Sequence, residues 1–147
     1  MKVAIDPNGT AFLFIDDNIR KDLYGCWEST ENISLIRKYK ENGMFLQENL
    51  KLDESLGGLT YEDEPVDVKI VPDSNGNMWL CRDENGNLKL CCTEPLRNSV
   101  NPVWSASHWV YIIDHSASRT ALFPNPKDEF EFLTWKDEPL RVKLVKA

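Results

Sequence analysis

Short runs in which apolar and polar residues alternate, closed by Asn-Gly or proline-bearing turns, dominate this chain. The opening stretch "MKVAIDPNGTAFLFI" predicts two strands joined at Asn8-Gly9, and "MWLCRDENGNLKLCC" predicts two more joined at Asn85-Gly86. Asn-Gly tolerates positive φ at both positions and favours a two-residue type I′ turn. That turn pairs Val3 with Phe14, Ala4 with Leu13 and Ile5 with Phe12. In the later hairpin it pairs Trp79 with Cys92, Leu80 with Cys91 and Cys81 with Leu90. Alternation then assigns Ala4, Ala11, Leu13 and Ile15 to one face of the first hairpin, and Trp79, Cys81, Leu88, Leu90 and Cys92 to its counterpart in the second. Both sets are apolar and are assigned to the core. The opposite face of the first hairpin, Val3, Ile5, Phe12 and Phe14, is apolar as well and needs cover from the rest of the chain or from another chain.

The two hairpins belong to a longer internal repeat. "LTYEDEPVDVKIV" (59–71) recurs as "LTWKDEPLRVKLV" (133–145) at an offset of 74, and residues 1–29 align with 78–106 at an offset of 77. The order of matches is the same in both halves, which indicates a tandem duplication. The expected organisation is repeat 1 over 1–72, a tight connector at 73–76 and repeat 2 over 77–147, packed as one body because each copy alone is small for a stable core. Each "DEP" element enters a strand in which Val66, Val68 and Ile70, or Leu140, Val142 and Leu144, share a face. Pro65 and Pro139 mark the strand entry, since proline has no N–H and holds its predecessor extended. The connector "PDSNGN" (72–77) suits a hairpin loop between strands 66–71 and 78–82. "GMFLQENL" (43–50) and "WVYIIDHS" (109–116) read as strands, and "ISLIRKYKEN" (33–42) fits a strand or a short helix. The fold class is therefore mostly β, or α+β with one short helix.

The chain has 147 residues and a net charge of -7, all of it in residues 1–73, where 8 Lys and Arg face 15 Asp and Glu; residues 74–147 carry 9 of each. An acidic balance argues against tracking a nucleic-acid backbone. No apolar run is long enough to span a bilayer, and no signal-peptide core precedes the first turn, so a cytoplasmic protein without membrane contact is expected. Cys26, Cys81, Cys91 and Cys92 show no zinc-ligand spacing with each other or with His108 and His115. They are expected to be small buried apolar residues. Cys81 and Cys92 fall on one hairpin face as diagonal neighbours.

The closing element carries a resemblance. Thr134, Trp135, Asp137, Glu138, Pro139, Leu140, Val142 and Leu144 resemble the terminal T-W-x-D-E-P strand of small uncharacterised proteins encoded by phages and prophages of gut bacteria, each about as long as one copy. Repeat 1 departs from the pattern at Tyr61 and with "SLGG" (55–58). Repeat 2 keeps Leu122, Phe123 and Pro124 but inserts "NPKDEFEF" before the strand. The resemblance implies a phage or prophage setting and no particular activity.

Candidate chemistry is sparse. "DHS" (114–116), with Arg119 nearby, holds the residue types of a hydrolase triad, but a strand points His115 away from Asp114 and Ser116. Asp63, Glu64, Asp137 and Glu138 are four carboxylates in related positions, suited to a divalent cation or, more simply, to turn formation. The pairs Arg20/Trp27 and Arg97/Trp104 stand out, because an arginine beside an indole suits a planar anionic ligand or a protein hot spot. The competing assignment is an arginine stem over a core tryptophan with its head on the "DE" loop. The expected function is non-catalytic binding without metal or cofactor: a host protein that is bound and blocked, such as a defence component, or self-association into a homo-oligomer. The alternatives are a sponge for a small anionic nucleotide-like ligand, and a structural or accessory protein.

Overall fold

The computed structural model describes residues 1–14, 18–29, 44–46, 53–98, 100–106, 110–114 and 129–147. These residues are mostly β and contain no α-helix; a single 3-10 turn spans Glu54–Leu56. Among the described residues no helix is long and apolar enough to cross a membrane. The chain forms two compact units. The first comprises Met1–Val71 together with Lys143–Ala147, and the second Pro72–Val142.

The first unit is built on β1 (Lys2–Ile5), β2 (Ala11–Phe14), β3 (Ile19–Lys21), β4 (Trp27–Ser29), β5 (Met44–Leu46) and β6 (Val66–Pro72). β1 lies antiparallel between β2 and β6, and β5 pairs with the far edge of β2. Lys2 opposes Asp67 across β1 and β6, and their side chains form an ion pair at 2.9 Å. Residues 143–147 complete this unit. The Ala147 amide donates to the Asp67 carbonyl, the Lys146 amide donates to Ser55 Oγ, and Lys143 pairs with Asp53 at 3.2 Å.

The β1–β2 register differs from the expected one by a residue: Val3 opposes Leu13, Ala4 opposes Phe12 and Ile5 opposes Ala11. The turn is the cause. The Asp6 amide donates to the Thr10 carbonyl, the Gly9 amide donates to the Asp6 carbonyl, and positive φ occurs at Gly9 but not at Asn8. This is a three-residue loop, a type I turn closed by a glycine bulge. A two-residue loop would have required a donor N–H at residue 7, and Pro7 has none. The shift regroups the faces. Val3, Ile5, Ala11 and Leu13 share one face, and Ala4, Phe12 and Phe14 share the other. Val3, Ile5 and Leu13 are buried, as are Ala4 and Phe14.

The second unit is built on β7 (Met78–Arg82), β8 (Leu88–Cys91), β9 (Leu96–Arg97), β10 (Trp104–Ser105), β11 (Val110–Asp114) and the first residues of β12 (Leu140–Lys146). β7 pairs with β8 and with residues 140–142 of β12; β11 pairs with β8, with a register shift between Ile112 and Asp114. The same bulged turn closes β7–β8 at Gly86, so Trp79 opposes Cys91, Leu80 opposes Leu90 and Cys81 opposes Lys89. The diagonal cysteine neighbours are therefore Cys81 and Cys91, and Cys92 is not part of that pair.

Residues 72–77 do not close the expected hairpin, because β7 takes β8 and β12 as its partners. They form a turn against β12 instead. The Gly76 amide donates to the Asp73 carbonyl, and Arg141 Nε donates to the Gly76 carbonyl at 2.9 Å. A Cβ on Gly76 would run into the Val142 carbonyl, which is backbone and cannot swing away. Gly76→Ala is therefore expected to destabilise the second unit by about 1–3 kcal/mol. A chemical denaturation curve for this variant checks it.

Candidate functional site

The tryptophans predicted as binding residues are anchored the same way in each unit. Trp27 donates its indole N–H to the Ile5 carbonyl at 3.1 Å, and its backbone N–H to the Asp6 carboxylate at 2.9 Å. Trp104 donates its indole N–H to the Arg82 carbonyl at 3.1 Å, and its backbone N–H to the Asp83 carboxylate at 2.9 Å. Both rings are buried. Trp27 packs with Ala4 and Phe14, and Trp104 with Cys81 and Cys91. An indole whose donor is already bonded inside the protein offers a ligand no polar handle.

The two carboxylates meet different surroundings. Burial raises the Asp6 carboxyl above its ordinary value, the Trp27 amide bond pulls it back, and the Asp22 carboxylate adds to the rise. Asp83 is 2% exposed and pairs at 2.8 Å with Lys89, itself 13% exposed. Lys89 also donates to the Trp104 carbonyl at 3.2 Å. The residue 77 positions before Lys89 is Phe12, which cannot provide that charge.

The ribbons carrying the arginines differ in their loops. In β3–β4 the Asp22 amide bonds to the Cys26 carbonyl and Gly25 has φ 82, so Lys21 opposes Trp27 and Arg20 opposes Glu28. In β9–β10 the residue aligned with Gly25 is Pro102, which is barred from positive φ. The loop begins one residue earlier and is one residue longer, closed between the Asn98 amide and the Val103 carbonyl, and this brings Arg97 opposite Trp104.

The structure therefore assembles one of the two expected pairs. The Arg97 guanidinium carbon lies 4.4 Å from the Trp104 ring centroid and 4.5 Å from that of Trp135, and the two indoles meet edge-to-face at 5.7 Å. Its terminal nitrogens donate to the Trp135 carbonyl at 2.6 Å and the Asp137 carbonyl at 3.3 Å. This is the structural assignment foreseen for such a pair, with the arginine head on the "DE" loop. Arg20 is not on Trp27. It bonds Glu28 at 3.1 Å, and Lys21 Nζ lies 5.1 Å from the Trp27 ring centroid.

The repeated carboxylates Asp63 and Asp137 act in turns. Asp137 accepts from the Thr134 amide at 2.7 Å and from its hydroxyl at 3.0 Å; Asp63 does the same with Thr60 at 2.8 and 3.3 Å. The Thr134 bonds hold the Asp137 carboxyl below its ordinary value, with help from Arg97. Each Thr-x-x-Asp stretch is thus a turn lock that delivers the chain into the following strand. Among the described residues no group of three or more His, Cys, Asp or Glu is placed to hold a metal ion. His115, Ser116 and Arg119 lie outside the described residues, as do residues 33–42.

Two features were not singled out from sequence. One is the tip of the β3–β4 ribbon, where Leu23 is 99% and Tyr24 86% exposed. The turn beneath them is ordered, because the Asp22 carboxylate accepts from the Tyr24 amide at 2.8 Å and from the Cys26 amide at 3.0 Å. A hollow of about 560 Å³ opens beside the tip, lined by Arg20, Lys21, Asp22, Leu23, Tyr24 and Glu28. The β9–β10 ribbon likewise exposes Leu96 and Val100. The other feature is the Cys81–Cys91 pair, whose Sγ atoms lie 4.0 Å apart. The bond to Cys91 and then burial push the Cys81 thiol up, while the same bond lowers Cys91.

Comparison with known proteins is silent: no protein family, no curated protein and no solved structure matches the chain.

Proposed function

We propose that this is a non-catalytic binding protein that docks a protein partner on the tip of its β3–β4 ribbon. The observation that carries this reading is the near-complete exposure of Leu23 and Tyr24 on a turn fixed by three elements: the Asp22 carboxylate, the Gly25 conformation and the Asp22–Cys26 backbone bond. An exposed leucine and tyrosine on a rigid support supply apolar contact area with little ordering cost on binding. Arg20, Lys21 and Glu28 flank them with polar groups able to fix orientation. In the phage or prophage setting that the resemblance implies, the partner is a host protein in the cytoplasm, such as a defence component, and binding blocks it. The small-ligand sponge has less support: Arg20 faces Glu28 and not Trp27, and Arg97, though it lies on Trp104, commits its terminal nitrogens to the backbone carbonyls of Trp135 and Asp137.

A photocrosslinking residue tests the docking face. With benzoylphenylalanine in place of Tyr24, irradiation in host lysate is expected to give one adduct of discrete mass. The same residue in place of Glu62, on an exposed turn, is expected to give none. Equal labelling from both positions, or no adduct from either, counts against the proposal.

A further inference from the structure

We propose that Cys81 and Cys91 form a two-thiolate site for a soft, two-coordinate metal ion of the Cu(I) class. The two thiols are buried, share one sheet face and hold their sulfurs 4.0 Å apart. Their diagonal relation separates the Cα atoms by about 7–8 Å, beyond the reach of a disulfide without backbone movement. A bridging metal removes that constraint. With metal–sulfur bonds of about 2.3 Å, two sulfurs sit about 3.8 Å apart at a tetrahedral angle and about 4.6 Å apart in a line, and the observed spacing falls between.

Packing alone does not call for two sulfurs here. The first unit meets its tryptophan at the corresponding positions with Ala4 and Phe14, and the second unit replaces both with thiols. Trp79, Trp104, Trp135 and Ala106 surround the pair. These four supply no ligand, and the nearby Asp83 carboxylate is already held by Lys89 and the Trp104 amide, which favours a soft ion content with two sulfurs over zinc, which seeks four ligands. The charged groups facing the site are Lys89, opposite Cys81, and Asp83, to which Lys89 is paired. Loading releases two thiol protons to solvent and forms two sulfur–metal bonds while the carrier gives up the ion; no oxidation state changes. Entry requires a local opening that lifts the β9–β10 ribbon, held by the Arg97 and Trp104 bonds, off the two thiols.

The test is anaerobic titration of the reduced full-length chain with Cu(I) held by a colorimetric chelator. One equivalent is expected to leave the chelator and to produce near-ultraviolet sulfur-to-copper absorption. The double variant Cys81→Ala/Cys91→Phe copies the core pair of the first unit, which favours its folding. It should lose that equivalent, binding at least about 100-fold more weakly. Cys26→Ser should keep it. Failure of the wild type to withdraw Cu(I), or retention of the equivalent by the double variant, overturns the proposal. Should the double variant not fold, the single variants Cys81→Ala and Cys91→Ala decide. Each must lose the equivalent, and retention by either folded variant refutes the site.

Discussion

Asp83→Asn is expected to cost the second unit about 3–5 kcal/mol, whereas Asp6→Asn leaves the first within about 1 kcal/mol of wild type. Both aspartates make the same bond to a tryptophan amide, at 2.9 Å, and an asparagine oxygen can accept it equally well. The difference lies in the second partner. Asparagine at 83 strands Lys89, an ammonium 13% exposed that loses the Asp83 carboxylate at 2.8 Å and, among the described residues, keeps the Trp104 carbonyl. Asparagine at 6 removes a charge that burial already disfavours. Urea unfolding followed by tryptophan fluorescence separates the two. Equal losses in both variants would show that the amide bond, and not the buried ion pair, dominates.

Deleting residues 143–147 is expected to remove cooperative folding of the first unit. The deletion takes away the buried Leu144, a side chain whose truncation alone costs about 2–5 kcal/mol. It also removes the Lys143–Asp53 ion pair, the Lys146 bond to Ser55 and the Ala147 bond to Asp67, leaving an edge of β6 unpaired. Those losses approach the total stability of an ordinary domain, about 5–15 kcal/mol. Amide hydrogen exchange checks it: protection in β1, β2 and β6 should collapse. Retained protection there would mean that residues 1–71 fold without the C-terminal residues.

Much of this architecture was legible because its signals are local. Alternation located the hairpins, and Pro65 and Pro139 marked the entries to β6 and β12. The registers were less accessible, since a single backbone conformation sets each one. At the first hairpin the missing clue was Pro7: a residue without an N–H cannot close a two-residue loop. At the ribbons it was Gly25 against Pro102, one able to adopt positive φ and the other barred from it. The ribbon loop replaced the expected Arg20–Trp27 neighbours with Lys21–Trp27. In the second hairpin, where Glu84 stands at the Pro7 position, the glycine bulge at Gly86 replaced Cys81–Cys92 with Cys81–Cys91 without a proline to signal it. The exposed tip was not legible at all. Leu23 and Tyr24 look like core residues in an alternating pattern, and only the turn geometry turns them outward.

The most direct test of the binding account is native mass spectrometry of the chain isolated from an expressing bacterium, wild type beside Leu23→Ser/Tyr24→Ser. These side chains make almost no packing contact, so the double variant should unfold within about 0.5 kcal/mol of wild type. The account predicts a stoichiometric complex with one host protein for the wild type and the bare chain for the variant. The same complex in both samples, or the bare chain or a homo-oligomer in both, contradicts it.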